Sequence, residues 1–474
     1  MSTYTGIPLL TLSGVRDSIS QAVADGATTE VAASCYYDKL KDILQYNPSW
    51  VMMPSFLKDG KAYTMISGLS GSLNVTRTTT PTASRATRVN ASGFIETVTD
   101  NVLRLDYPIG GGCPAALIEP SGTNFARWVN QMTSQDTPTA SGGMTITTGS
   151  TDFLAPDGTS GSITKYVGGA ASGTSQYAYY SGGGIIFTAS GQHTFSLFVK
   201  RGATNPLTFC ALSFVNYTGG SGTSPSYFNL ASGTALTAGA SVQDYGNGWY
   251  RLISAPYTIA SGDLDGQLLF WMAEGNGDLS WPASGALNLT AYTWGAQVEA
   301  GSIATTYIPT TTTTASRAAD VISASGALVS GLIGATEGTI YWEGSINRQD
   351  RVIFSLAQGT SITNAIFLQT LSNGFFRADV IVNNTTTCAI SSLAVSTIGQ
   401  FYKIAFAYKE NDFAFYINGV QQGLDSSGAL PTGLTNAIFA RGDSSLITNQ
   451  RCRAAALYTT RLTNDQLANL TRLT

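Results

Sequence analysis

Two segments of this chain are near copies of one another, and they fix how it can be partitioned. Thr78 to Val89 reads TTTPTASRATRV, and Thr310 to Val321 reads TTTTTASRAADV. Aligned on Arg85 and Arg317, they share three threonines, the TASRA core and the closing valine. β-Branched threonine with a proline close by (Pro81, Pro309) favours extended backbone and excludes helix. We read the segments as two joints of one kind, each leading from one compositional zone into another. The competing reading is a pair of low-complexity threonine linkers, alike through composition alone.

At 474 residues the chain is too long for one core and implies two to four domains. Charged residues make up 11% of it, against roughly 25% in ordinary soluble proteins. Its polar surface must therefore come from hydroxyls and backbone, which suits β-sandwiches at extracellular or virion surfaces. A net charge of -4 leaves no basic footprint for nucleic acid. The N-terminus lacks a basic region followed by a long apolar core, and no apolar run is long enough for a membrane span. Cys35, Cys113, Cys210, Cys388 and Cys452 are odd in number and far apart, so free thiols in a reducing cytosol are expected.

Helical signals are confined to residues 1–70. Asp17 to Ala24 is a short helical run, and Thr28 or Thr29 caps a second reaching to about Tyr46, where Asn47-Pro48 stops it. The apolar cluster Trp50, Val51, Met52, Met53 and Phe56 follows. Such a surface needs a partner, either the rest of the chain or a larger assembly in which this segment is the anchor. We take the second reading. Residues 71–118 alternate short extended runs with turns and are expected to be a β linker. Gly110-Gly111-Gly112 leads into Cys113-Pro114 and a strand, so it lacks the helix N-terminus a phosphate cradle needs.

Residues 119–316 carry strand-length apolar alternation, as in Phe195, Leu197 and Val199, and predict a β-sandwich. Residues 317–474 predict a second. Phe413, Phe415 and Ile417 alternate and end at Asn418-Gly419, a strong hairpin signal. A short closing helix is expected with Thr463 as N-cap and Gln466 in the capping-box position. The fold class is therefore mainly β, two sandwiches behind a small, partly helical N-terminal segment. A piece from Ala318 to Thr474 is expected to fold alone.

WGAQVEAGSIATTYIPT followed by TASRAAD resembles a segment of many bacteriophage structural proteins, where it ends a jelly roll like those of carbohydrate-binding modules. ATRVNASGFIETVTDNVLRLDYPIGGGCPAALIEP is similar to the lead-in of the same proteins, and TFSLFVKRG and NGWYRLI to strands of such jelly rolls. GTIYWEGSI, FYKIAFAYKENDFAFYINGVQQG and AAALYTTRLTNDQLANL resemble, in that order, a laminin-G-like or concanavalin-A-like domain. The resemblance implies a virion fibre or head or tail appendage, made in the host cytoplasm and displayed on the virion surface. It would be held by other virion proteins through its first 70 residues. It also implies a homo-oligomer, most simply a trimer.

Catalytic chemistry is thinly supplied. His193 is the lone histidine and starts a core-like strand. No Gly-x-Ser-x-Gly elbow sits on a strand-to-helix turn. Glycosidases of concanavalin-A-like fold place closely spaced carboxylates on one strand, whereas this chain offers single acids such as Glu343 and Asp379. The loops Asp263-Leu264-Asp265-Gly266 and Asn276-Gly277-Asp278 lack full calcium-loop spacing, so no metal and no cofactor is expected. Arg441-Gly442-Asp443 is an adhesion-like tripeptide without a secretion signal. Sugar contact needs aromatic rings beside hydroxyls and amides. Trp249 and Trp271 lie in strong strand patterns and are expected in the core. Trp281, Tyr177, Tyr179 and Tyr180 lie in loops or after turns and are the candidate ligand-binding residues. Three readings compete: non-enzymatic adhesion to host-surface glycans, a structural capsid or tail decoration or collar protein, and a glycan depolymerase. We take the first.

Overall fold

A computed structural model describes residues 37–58, 61–66, 71–77, 85–127, 139–140, 143–169, 175–186, 190–215, 225–260, 265–280, 288–311, 313–326, 329 and 331–473. The protein is mainly β and divides into two compact units, neither of them one continuous stretch of chain. The first comprises Met1–Thr78, Thr99–Pro120 and Ala318–Thr474; the second comprises Thr79–Val98 and Ser121–Arg317.

Two antiparallel sheets make the first unit. Among the described residues one sheet has ten strands, with Trp50–Lys58, Gln450–Tyr458, Glu337–Ile346 and Phe401–Lys409 at its centre. The other has seven, running from Thr385–Val395 through Phe375–Val382, Ala365–Thr370, Arg351–Ala357, Asn436–Ile438 and Val321–Ser325 to Asn74–Thr76. Alternation along each strand sends Trp342, Phe354, Leu356, Ile366, Phe406 and Phe415 into the layer between them. Burying one such side chain is worth about 1.5–3 kcal/mol. The ten-stranded sheet is apolar on its other face too, where Val51, Met53, Tyr341, Tyr416 and Tyr458 stand among small residues, Ala405, Ala407, Ala414, Ala454 and Ala456. Their size lets helices Tyr37–Leu44 and Asn464–Thr471 lie close, burying Ile43, Leu44, Leu467 and Leu470. The closing helix starts as its sequence predicts, with Thr463 and Gln466 exchanging side-chain and backbone bonds in a capping box. The Asn418-Gly419 turn has positive φ at both residues (52° and 83°), as a tight hairpin requires.

The expected anchor and linker are corrected by this unit. Trp50, Val51 and Met52 pair with Leu457, Ala456 and Ala455. Trp50 and Met52 enter the core between the sheets, Val51 and Met53 pack under the helices, and all four are buried. They are held by their own chain and present no docking surface. Phe56 lies on the same strand, and its side chain falls outside the described residues. Residues 71–118 are likewise more than a linker. Asn74–Thr76 is a strand of the seven-stranded sheet, and Ala116 to Ile118 pairs with Cys452 to Gln450, sharing an edge of that strand with Trp50 to Met52. Of the predicted N-terminal helices, Tyr37–Leu44 is described, and the Asp17 to Ala24 run lies outside the described residues.

These segments are fastened by charge as well as by strands. Arg77 donates to Asp320 at 2.7 Å, Arg104 pairs with Asp320 and with Glu119 (2.9 Å), and the Glu119 amide donates to Asp320 at 3.0 Å. All four side chains are buried.

The second unit also stacks two sheets. A six-stranded one contains Gln176–Ile186, Asp265–Ala273, Phe209–Val215 and Ser226–Asn229; a seven-stranded one contains Ile163–Val167, Thr290–Ala300, Gly191–Arg201 and Trp249–Ile253. Phe195, Leu197 and Val199 are core, as their alternation predicts, and Phe198 on the opposite face is buried as well. It packs edge-on against Trp294 (5.2 Å) and Tyr307 (6.1 Å), so the WGAQVEAGSIATTYIPT segment folds back over its own sheet. Polar bonds fix that return. Glu299 accepts from the Thr305 amide (2.7 Å) and hydroxyl (2.6 Å), Arg251 donates to the Thr305 carbonyl (2.7 Å), and Arg317 donates to the Thr306 hydroxyl (3.0 Å). Burial pushes the Glu299 carboxyl up, while Thr305, Arg317 and Arg251 pull it back. Arg85, the arginine of the first joint, donates to the Pro309 carbonyl at 3.2 Å. Both joints therefore end on the 305–309 segment, which gives their shared arginine a physical role.

Candidate functional site

The six-stranded sheet of the second unit carries an aromatic row on its outer face. Leu268, Phe270, Met272, Cys210, Leu212, Phe214 and Phe228 point into the core. The residues alternating with them point the other way. Across four adjacent strands Tyr177 stands opposite Trp271, Trp271 opposite Ala211, and Ala211 opposite Tyr227. Three strand spacings make this row roughly 14 Å long. Tyr177, Trp271 and Tyr227 are half-buried, whereas Ala211 and Ser213 between them are 0% and 1% exposed. The small residues are a floor and the rings lie above it.

The rings are held in place. Trp271 Nε1 donates to Ser213 Oγ at 2.7 Å, which fixes the indole, and Tyr177 packs on it with ring centroids 4.5 Å apart. At the other end burial pushes the Tyr227 hydroxyl up, helped by the nearby Asp278 carboxylate. Asp278 sits in an exposed turn, its carboxyl drawn below the usual range by hydrogen bonds from Ser280. The result is a partly exposed aromatic surface, its Tyr177 and Trp271 rings tilted 47° to each other, with an acceptor at its rim.

Of the four candidate ligand-binding residues, Tyr177 falls in this row. Tyr179 and Tyr180 are on its strand, but their side chains lie outside the described residues, as does Trp281. The two strand tryptophans separate. Trp249 is core, its Nε1 donating to the Leu154 carbonyl at 2.9 Å. Trp271 is not: it faces outward and was missed because an apolar strand buried on both faces reads like one with a ring on its open face. The strand Asp265–Ala273 reads DGQLLFWMA, and its alternation alone does not say which face is covered. Tyr227 was missed because Ser226–Asn229 is short and gives little periodicity.

The remaining candidates are structural where they are described. His193 is buried, with Nδ1 3.0 Å from the Gly191 carbonyl, and burial lowers its pKa. Glu343 and Asp379 are buried and lie on different sheets. Arg441 and Asp443 of the adhesion-like tripeptide bind each other through two bonds of 3.1 and 2.8 Å. Among the described residues no three His, Cys, Asp or Glu side chains group as a metal site. The cysteine expectation is corrected: Cys113 is disulfide-bonded, while Cys210, Cys388 and Cys452 are free and buried.

No protein-family model and no curated protein sequence matches the chain. Among solved structures it is similar to the CBM40 module of the Ruminococcus gnavus IT-sialidase bound to alpha2,3 sialyllactose. That match has 14% identity, covers 30% of this chain and 84% of that one, and has a TM-score of 0.26. A SAP-like pentraxin from Limulus polyphemus matches at 15% identity over 28% of this chain and 69% of its own, with a TM-score of 0.24. Domain 4 of AbnA, a GH43 arabinanase of Geobacillus stearothermophilus in complex with arabinotriose, matches at 14% identity over 32% and 73%, with a TM-score of 0.27. Likeness at this level leaves function to be argued from the site.

Proposed function

We propose that this chain is a non-enzymatic adhesion protein that holds glycans on the outer face of the second unit's six-stranded sheet. The observation that carries this reading is Trp271, fixed by Ser213, half-buried on the outer face, and extended by Tyr177 and Tyr227 into a row. Aromatic faces accept the apolar C–H face of a sugar, and a rigid ring pays little conformational entropy on contact. The Asp278 carboxylate supplies a hydrogen-bond acceptor for sugar hydroxyls at the rim. The resemblance of residues 75–320 to bacteriophage structural proteins supports a virion fibre or appendage at the virion surface, where a homotrimer would present several weak sites together and gain avidity. Buried acids on separate sheets argue against the depolymerase reading.

Retention of the full chain on immobilised neutral polysaccharides tests the binding reading. Wild type is expected to be retained without release of reducing ends, and Trp271→Ala and Tyr177→Ala to elute early. Unchanged retention of both variants sinks the proposed face, and release of reducing ends sinks the non-enzymatic reading. Mass spectrometry of purified virions, with a labelled image of this chain, tests the virion assignment.

A further inference from the structure

A second set of side chains, on the outer face of the first unit's seven-stranded sheet, is not used up by the fold. Phe376, Ala378 and Val380 alternate into the core, so Phe375, Arg377 and Asp379 face outward. Arg377 stands opposite Gln369 on one neighbouring strand and Ser391 on the other. Asp379 is 1% exposed, and its Oδ2 accepts from Arg377 Nε (2.8 Å) and from Gln369 Nε2. Its Oδ1 is buried with no hydrogen-bond partner among the described residues. The Arg377 side chain is 34% exposed, and Nε is its one side-chain nitrogen with a partner among the described residues.

A guanidinium has a side edge, through Nε, and an end edge formed by its two terminal nitrogens. Here the buried carboxylate takes the side edge and fixes the plane, leaving the end edge free. That edge matches the two oxygens of a carboxylate, and prior fixation lowers the entropy lost on binding. Arg441 instead commits two of its nitrogens, Nε and Nη2, to Asp443. The surroundings are hydroxyl and apolar: Ser391 and Ala389 are exposed, Leu393 is 70% exposed and Phe375 half-buried. The strand Thr385–Val395 has no charged residue. A polyanion or acidic peptide calls for several cations. One fork beside apolar and hydroxyl groups suits a single carboxylate on a ring with an apolar face.

The geometry points to a second binding site, centred on Arg377, for a carboxylate-bearing sugar such as a uronic acid residue. It is independent of the Trp271 row. The test uses the full chain carrying Trp271→Ala, so that the aromatic row is silent, with tetragalacturonate and its methyl ester as probes in calorimetric titration. The acid is expected to bind at least tenfold more tightly than the ester. Arg377→Lys keeps a charge beside Asp379 but lacks the fork, and is expected to weaken binding at least tenfold with the melting temperature unchanged. Ser391→Asp, which offers the fork an internal carboxylate, is expected to do the same. The site is overturned if tetragalacturonate does not bind, if ester and acid bind alike, or if Arg377→Lys leaves binding intact. Competition by acetate as strong as by galacturonate overturns the sugar assignment and leaves a simple anion site.

Discussion

Neutralising Asp320 tests whether charge fastens the three chain segments of the first unit. Its carboxylate meets Arg77 and Arg104 and accepts from the Glu119 amide, and the set Arg77, Arg104, Glu119 and Asp320 balances to zero charge in a buried site. Asp320→Asn keeps the shape but leaves one positive charge uncompensated. Breaking a buried pair by removing one partner costs about 3–5 kcal/mol, because the remaining charge stays desolvated. With a urea m-value of about 2–3 kcal/mol/M, the midpoint should fall by roughly 1–2.5 M. Two units imply two transitions, so the shift must be assigned by hydrogen exchange to amides of the first unit. The double variant Arg104→Met/Glu119→Gln removes one charge of each sign and should cost less than Arg104→Met alone. A midpoint within about 0.3 M of wild type for Asp320→Asn would show that water reaches the cluster, and would refute the desolvation argument.

Trp249→Ala should destabilise the second unit by about 3–5 kcal/mol, as expected for a core tryptophan. Trp271→Ala should leave the urea midpoint nearly unchanged while abolishing glycan retention, and equal destabilisation by the two would return Trp271 to the core. The piece 318–474, expected from sequence to fold alone, should instead lack a cooperative melt by calorimetry. It omits Trp50, Met52, Leu105 and Ile118 from the core and leaves Asp320 without either arginine. The Asp443 carboxyl, held down to about 2 first by Arg441 and then by Ser445, should titrate near that value by carbon NMR. Its folded pKa is below the ordinary 3.8, so its contribution to stability is present above that pH and lost as pH falls through about 2. Thiol titration should find Cys210, Cys388 and Cys452 unreactive in the native chain and reactive in guanidinium, since burial pushes Cys388 up to about 12 and raises Cys210 and Cys452 also.

The sequence by itself determined the local structure. Alternation of Phe413, Phe415 and Ile417, the Asn418-Gly419 turn and the Thr463 to Gln466 capping box each depend on neighbours a few residues away, and each formed as read. The doubled TASRA segment predicts extended backbone at each joint, because threonine beside proline disfavours helix whatever lies beyond it. Tertiary structure decided what alternation leaves open, namely which apolar face is covered and by what. Trp50 and Met52 needed the edge of Gln450–Tyr458, four hundred residues on, to become core rather than anchor. Trp271 became a surface ring because the opposite face of its strand, through Phe270 and Met272, took the core. Arg377 was one arginine among many until the strand register set it beside Asp379 and Gln369. A strand's pattern states that a face is apolar; long-range pairing, set by registers the local sequence does not encode, decides whether that face meets protein or solvent.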